Sequence, residues 1–101
     1  MIKEKCLDTI RSAVKNSLHP SAPKGDLFQP TSVMALFVFE EEPKLLFIQK
    51  ADVKGYPWAG QMAFPGGHVE RKDTSAKETA LRELKEEMGI ERKNVSVLGS
   101  I

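Results

Sequence analysis

The chain has 101 residues, 41% of them apolar and 29% charged, which is the balance of a globular chain and not a disordered one, with length for one modest core but not a second. A formal net charge of +1 excludes a global field that would recruit nucleic acid or an acidic membrane. An anionic ligand must therefore be met by locally placed cations or metal ions.

Ile2, Cys6, Leu7, Ile10, Val14 and Leu18 recur at helical spacing and predict an amphipathic helix over residues 2–17. The opening Met1-Ile2-Lys3-Glu4-Lys5 is not the apolar run of a signal peptide, and no stretch is long enough to span a membrane, so a cytoplasmic, reducing setting is expected. A lone cysteine, Cys6, forms no intrachain disulfide and reads as a small half-buried thiol. His19 sits where a helix C-terminus would favour a cation, and the breaker-rich stretch after it forms a linker over residues 19–30.

Thr31 to Phe39 is β-branched, aromatic and apolar, predicting a largely buried strand. Lys44 to Lys50 resumes as a second strand, with Glu40-Glu41-Glu42-Pro43 as the hairpin turn. Those three glutamates are read as a solvated turn and not as metal ligands. Residues 52–67 read as a long loop holding Gly55, Pro57, Gly60, Pro65, Gly66 and Gly67. Tyr56 and Trp58 in it are candidates either for stacking on a base or for packing. A main helix follows: Ser75 and Glu78 form a capping box, and Gly89 stands at its C-terminal stop. Asn94 to Ile101 then alternates like a strand.

On that helix Glu83, Glu86 and Glu87 fall within an arc of about 100° beside the apolar arc of Ala80, Leu81, Leu84 and Met88. Like charges so placed repel, which makes sense if a divalent cation gathers them, because carboxylate oxygens are the hard ligands Mg²⁺ prefers. Arg82, four residues from both Glu78 and Glu86, can pair with either and orient the ligands. The competing reading is an ordinary solvated helix surface, for which the same residue types are the commonest choice. The Phe64-Pro65-Gly66-Gly67 turn upstream favours the metal, since it lets backbone pass close to a ligand without obstruction by a Cβ. His68 and the nearby Glu70 and Lys72 are read as plain loop residues.

The run Arg82-Glu83-Leu84-Lys85-Glu86-Glu87-Met88-Gly89-Ile90 resembles, at every defined position, the second half of the Nudix box. The first half differs: Gly67 is followed by five residues and then Asp73 in place of glutamate, and eight residues rather than seven separate it from Arg82. The Asp and the eight-residue spacer resemble the coenzyme A diphosphatase branch of that family, as does Gly60, three residues, then Phe64-Pro65-Gly66-Gly67. The arginines that open this branch's upstream element are absent. Residues 47–52 stand in the first place and Tyr56 in the second, leaving Lys50 or Lys54 to supply positive charge.

The resemblance implies an α/β fold, the Nudix α/β/α sandwich with a mixed sheet, as a single domain over residues 1–101. It implies Mg²⁺ or Mn²⁺ on Glu83, Glu86, Glu87 and the Gly66 carbonyl, with Arg82 orienting Glu86 and Asp73 supporting the loop. Gly67, Phe64 and Lys50 are the implied substrate contacts, and the general base is left unassigned. The implied reaction is hydrolysis of a nucleoside-diphosphate-X bond, with coenzyme A or a derivative as the first substrate and ADP-ribose or another nucleotide as the alternative. A non-catalytic nucleotide-binding module and an inactive fragment are the other readings. The partner is a small molecule, not nucleic acid or membrane, and a homodimer is compatible. Because such domains usually continue for several strands past the box, the chain is expected to be C-terminally incomplete.

Overall fold

A computed structural model describes residues 2–14, 29–52, 54–55, 57 and 59–100. Helix α1 spans Ile2–Val14; the rest of the predicted helix, most of the linker, Tyr56, Trp58 and Ile101 lie outside the described residues. Six short strands follow: β1 (Thr31–Val33), β2 (Leu36–Phe39), β3 (Pro43–Leu46), β4 (Ile48–Gln49), β5 (Met62–Ala63) and β6 (Gly66–His68). Helix α2 (Ala76–Met88) and a 3₁₀ turn (Arg92–Asn94) close the described fold. The α/β class is the one expected. No helix among the described residues is long and apolar enough to cross a membrane.

Where one mixed sheet was expected, the described strands pair in three antiparallel two-stranded pieces, β1–β6, β2–β3 and β4–β5. Each of the two long predicted strands changes partner partway. The first pairs with β6 as far as Val33↔Gly66, and Met34 N–H then donates to the Pro65 carbonyl at 2.8 Å. Proline has no N–H to return, so the ladder ends there. The chain resumes as β2 against β3, from Leu36↔Leu46 to Phe39↔Pro43, around the Glu40–Glu42 turn. Lys44 Nζ meets Glu40 Oε2 at 3.2 Å across that turn, which is solvated as expected.

The predicted long loop likewise yields two strands. Ile48 pairs with Ala63 and Gln49 with Met62. Lys50 N–H donates to the Gln61 carbonyl at 2.7 Å, and Gly60 N–H to the Lys50 carbonyl at 3.1 Å. Phe64 stacks on Phe47, ring centroids 4.9 Å apart. The first strand is less buried than its composition suggests, with Phe37 and Val38 each 37% exposed, and α1 packs on the hairpin at β3.

The core forms where α2 lies on β1 and β6. Leu84, Ala80 and Leu81 are buried there, the apolar arc predicted from the helical wheel. Ser32 Oγ donates to the Ala76 carbonyl at 2.7 Å and pins β1 to the first turn of α2. Ser75 Oγ accepts from Glu78 N–H at 3.2 Å, and Gly89 ends the helix at φ 68°, its N–H on the Lys85 carbonyl. The capping box is only half closed, because the Glu78 carboxylate turns to Arg92, which grips it with both terminal nitrogens at 2.9 and 3.0 Å.

The predicted C-terminal strand is not formed among residues 94–100. Asn94 belongs to the 3₁₀ turn, and a Cβ on Gly99 would strike the Val14 side chain, so this segment packs on the end of α1 instead of joining a ladder. Leu84 is fully buried in a small core, so Leu84→Ala is expected to cost about 2–5 kcal/mol. Urea unfolding measures this; a loss below about 1 kcal/mol would place the core elsewhere.

Candidate functional site

The geometry is organised by Arg82. Its planar fork carries five N–H donors, and all five are used. Nε donates to Asp73 Oδ1 at 3.0 Å and Nη2 to Asp73 Oδ2 at 3.0 Å, while Nη2 also reaches the His68 carbonyl at 2.9 Å. Nη1 donates to Glu83 Oε1 at 3.0 Å and to Glu86 Oε2 at 3.1 Å. Two of the acidic residues of α2 therefore share one nitrogen. Of the partners foreseen at helical spacing, Arg82 takes Glu86 and leaves Glu78 to Arg92.

Asp73 is equally committed. Its Oδ2 accepts from Glu70 N–H at 2.8 Å and from Thr79 Oγ1 at 3.0 Å, besides the two bonds from Arg82. A carboxylate offers about four acceptor positions, and Asp73 accepts four hydrogen bonds, three on Oδ2 and one on Oδ1, so it is committed to holding Arg82 and the turn. It explains how the shorter side chain serves. The tight turn from Glu70 to Asp73, closed by Asp73 N–H on the Glu70 carbonyl at 3.0 Å, carries the carboxylate up to the helix.

The Arg82 guanidinium, with Glu70 N–H and the Thr79 hydroxyl, holds the Asp73 carboxyl well below the usual carboxylate range, against the opposing effect of its burial. In return, Asp73 chiefly, and Glu86 and Glu83 after it, raise the Arg82 pKa. An acid whose pKa is depressed in the fold stabilises the fold above its unfolded value, about 3.9, and that stability is lost as pH falls further through the folded value. The thermal midpoint is thus expected to drop between about pH 4 and pH 2, with a shallower slope in Asp73→Asn. Glu78, depressed by Arg92, contributes in the same direction and leaves a residual slope. Equal slopes in the two proteins would contradict the assignment.

The glycine turn closes on the same helix face. Gly66 N–H donates to Glu87 Oε1 at 2.8 Å. A Cβ on Gly67 would lie 2.5 Å from Glu83 Cδ, so this carboxylate rests directly on the Gly67 backbone. A Cβ on Gly66 would instead strike the Ser32 carbonyl and the Val33 backbone of the paired strand. Glycine is needed at both positions for close approach, once to strand and once to carboxylate.

The structure thus brings Arg82, Glu83, Glu86, Glu87, Gly66, Gly67 and Asp73 into one region. Phe64 packs on Phe47, and Lys50 bonds through its backbone to Gln61 and Gly60 at the end of the β4–β5 pair, so the contacts of these two residues lie with that pair and not with the acidic cluster. Glu83, Glu86 and Glu87 are hard oxygen donors of the kind that suits Mg²⁺ or Mn²⁺. As they stand, Arg82 and Gly66 N–H occupy one oxygen of each, and among the described residues no three acidic, histidine or cysteine side chains form a ready-made cage. The donor chemistry fits a divalent cation, while cation binding needs rotation of exposed side chains such as Glu86, 53% exposed.

Sequence reasoning missed three members of this network. Thr79 is buried and polar, the His68 carbonyl is an Arg82 partner, and Glu70 supplies an N–H to Asp73 and a carboxylate 3.5 Å from Arg82. The groove of about 490 Å³ outside α2, from Glu78 to Arg92, touches the cluster at Arg82 and Glu86. Its cations Lys85 and Arg92 are already paired with Glu91 and Glu78.

The family model described as NUDIX domain matches residues 29–101. A protein of Pectobacterium atrosepticum named uncharacterized Nudix hydrolase NudL is 44% identical over 83 residues, covering 81% of this chain and 42% of that protein. Proteins of the same name from Yersinia enterocolitica and Photorhabdus laumondii are 42% and 38% identical, over 69% and 81% of this chain and 35% and 44% of their own length. The chain spans less than half the length of these relatives.

Proposed function

This chain belongs to the Nudix family, and from that premise we propose that it hydrolyses the diphosphate bond of a nucleoside-diphosphate-X compound with the help of a divalent cation. The observation that carries the reading is the Arg82 fork, which holds Glu83 and Glu86 beside a glycine turn that closes on Glu83 and Glu87. Glu83, Glu86 and Glu87, with the Gly66 carbonyl, would hold Mg²⁺ or Mn²⁺. Bound there, the cation would polarise a phosphoryl oxygen and make a water acidic enough to serve as nucleophile.

The protein's own part is positional. With five donors engaged, Arg82 orients the carboxylates and leaves the substrate's phosphates to other groups. Gly67 and Phe64 line the approach to the carboxylates, and Lys50 is the cation proposed to meet the substrate. The water oxygen bonds to one phosphorus, the bridging P–O bond breaks, and two phosphate monoesters leave.

Asp73 with its eight-residue spacer and the Gly60…Phe64-Pro65-Gly66-Gly67 element favour coenzyme A or a derivative over ADP-ribose. A soluble cytoplasmic setting, with a small molecule as the partner, goes with this reading. Coenzyme A, ADP-ribose and other nucleoside diphosphate derivatives incubated with the chain and Mg²⁺ or Mn²⁺ provide the test, with the monoester products identified by mass. Cleavage of coenzyme A to 3′,5′-ADP and 4′-phosphopantetheine is expected. Binding without cleavage of any compound would replace the enzyme by a nucleotide-binding module, and neither binding nor cleavage would reject both.

A further inference from the structure

Thr79 is the buried polar side chain of the described core, fully enclosed one helical turn before Arg82 and Glu83. A β-branched residue is a weaker helix former than alanine, and alanine would fill an apolar position there, so the hydroxyl invites an explanation. Its single proton has two acceptors within reach, Asp73 Oδ2 at 3.0 Å and the Ser75 carbonyl at 3.3 Å. The nearer acceptor is a carboxylate, and hydrogen bonds to ionised acceptors are the stronger ones. The proton therefore goes to Asp73.

That bond fixes the Asp73 carboxylate against rotation about Cβ–Cγ. Both of its oxygens must stay in the guanidinium plane for the two-point grip by Arg82 to persist. The far side of the same guanidinium holds Glu83 and Glu86. The chain Thr79 hydroxyl, Asp73, Arg82, Glu83 and Glu86 is thus continuous, and every link is a hydrogen bond no longer than 3.1 Å. We propose that Thr79 is a positioning residue, whose hydroxyl locks Asp73 and through Arg82 sets the placement of Glu83 and Glu86 for the cation. This rests on the metal reading given above. The Thr79 hydroxyl bonds to Asp73 and lies near the Ser75 carbonyl, so its hydrogen-bonded route to those carboxylates runs through Asp73.

Thr79→Val keeps shape and branching while removing the hydroxyl, and Thr79→Ser keeps the hydroxyl while removing the methyl group. Two measurements made well below the melting point of each variant separate positioning from packing. In the metal-free protein, the Arg82 Nε–H signal in NMR reports the Asp73 grip directly. Mn²⁺ titration calorimetry reports the carboxylates.

In Thr79→Val, the Nε–H is expected to exchange with water about 10-fold faster or more, and the Mn²⁺ Kd to rise about 10-fold, the lower end of what outer partners of metal ligands control. Thr79→Ser is expected to stay within about twofold of the parent in both, even where its melting point falls further. A valine variant that matches the parent, or a serine variant that loses as much as valine, overturns the proposal. Slow Nε–H exchange that is lost in the valine variant, in a parent that takes up no Mn²⁺, overturns the metal reading and supports the coupling of Thr79 to Arg82.

Discussion

In Glu83→Gln, cation-dependent diphosphate hydrolysis is expected to fall by about 10²–10³-fold, with the thermal midpoint nearly unchanged. Glutamine keeps the length of the side chain and an oxygen that can still accept from Arg82 Nη1, now 3.0 Å from Glu83 Oε1. It removes the charge. Of the three glutamates, Glu83 is pressed from two sides, by Arg82 on the helix and by the Gly67 backbone opposite. It is the one acid of the set with little freedom to be replaced by a neighbour. Turnover within a few-fold of the parent at saturating Mg²⁺ would remove Glu83 from the chemistry, whatever else the site does.

Gly67→Ala is expected to produce a loss of activity of about 10²-fold with little or no loss of stability. The new methyl group would lie 2.5 to 2.8 Å from the carboxylate atoms of Glu83, nearer than any ordinary contact. What must give is the end of a flexible side chain, so the fold relaxes easily. The reduced freedom of the unfolded chain even favours the variant by a few tenths of a kcal/mol, roughly. The carboxylate is displaced by about 1 Å, a misplacement that is costly in a preorganised site. Gly66→Ala differs in kind, since its methyl group meets strand backbone, and the fold itself should weaken. Calorimetric melting beside a rate assay distinguishes the two, and equal destabilisation by both would contradict the placement of Glu83 on Gly67.

These expectations depend on features that were unevenly legible in the amino-acid order. The 3.6-residue period is local, so the buried arc of Ala80, Leu81 and Leu84, the Ser75 cap and the Gly89 stop were all readable, as was the gathering of three glutamates beside that arc. Family resemblance supplied the significance of the arc. Strand partners are not local. Nothing in Thr31–Phe39 announces that it would leave β6 at Pro65 and take up β3, or that the glycine-bearing stretch read as a loop would contribute β5 and the start of β6.

The partners of Arg82 were also hidden. Spacing put Glu78 and Glu86 equally within reach. The choice was made by Arg92, which comes round from the 3₁₀ turn to take Glu78, and by the Glu70–Asp73 turn, which delivers a second acid from outside the helix. Thr79 reads as one more helical residue until its hydroxyl is seen against Asp73. Among the described residues 94–100 the alternation forms no strand, because alternation sets which face a strand would bury and not which ladder it joins.

The central claim is that the divalent cation sits between the Gly66–Gly67 turn and the acidic face of α2. Paramagnetic broadening of backbone amide signals by substoichiometric Mn²⁺ tests it most directly. The account predicts that Gly66, Gly67 and the amides around Glu83 to Glu87 broaden first, while those of α1 persist until much higher Mn²⁺. Broadening that begins instead at the exposed Glu40–Glu42 turn, or that spreads evenly over the chain, would contradict it.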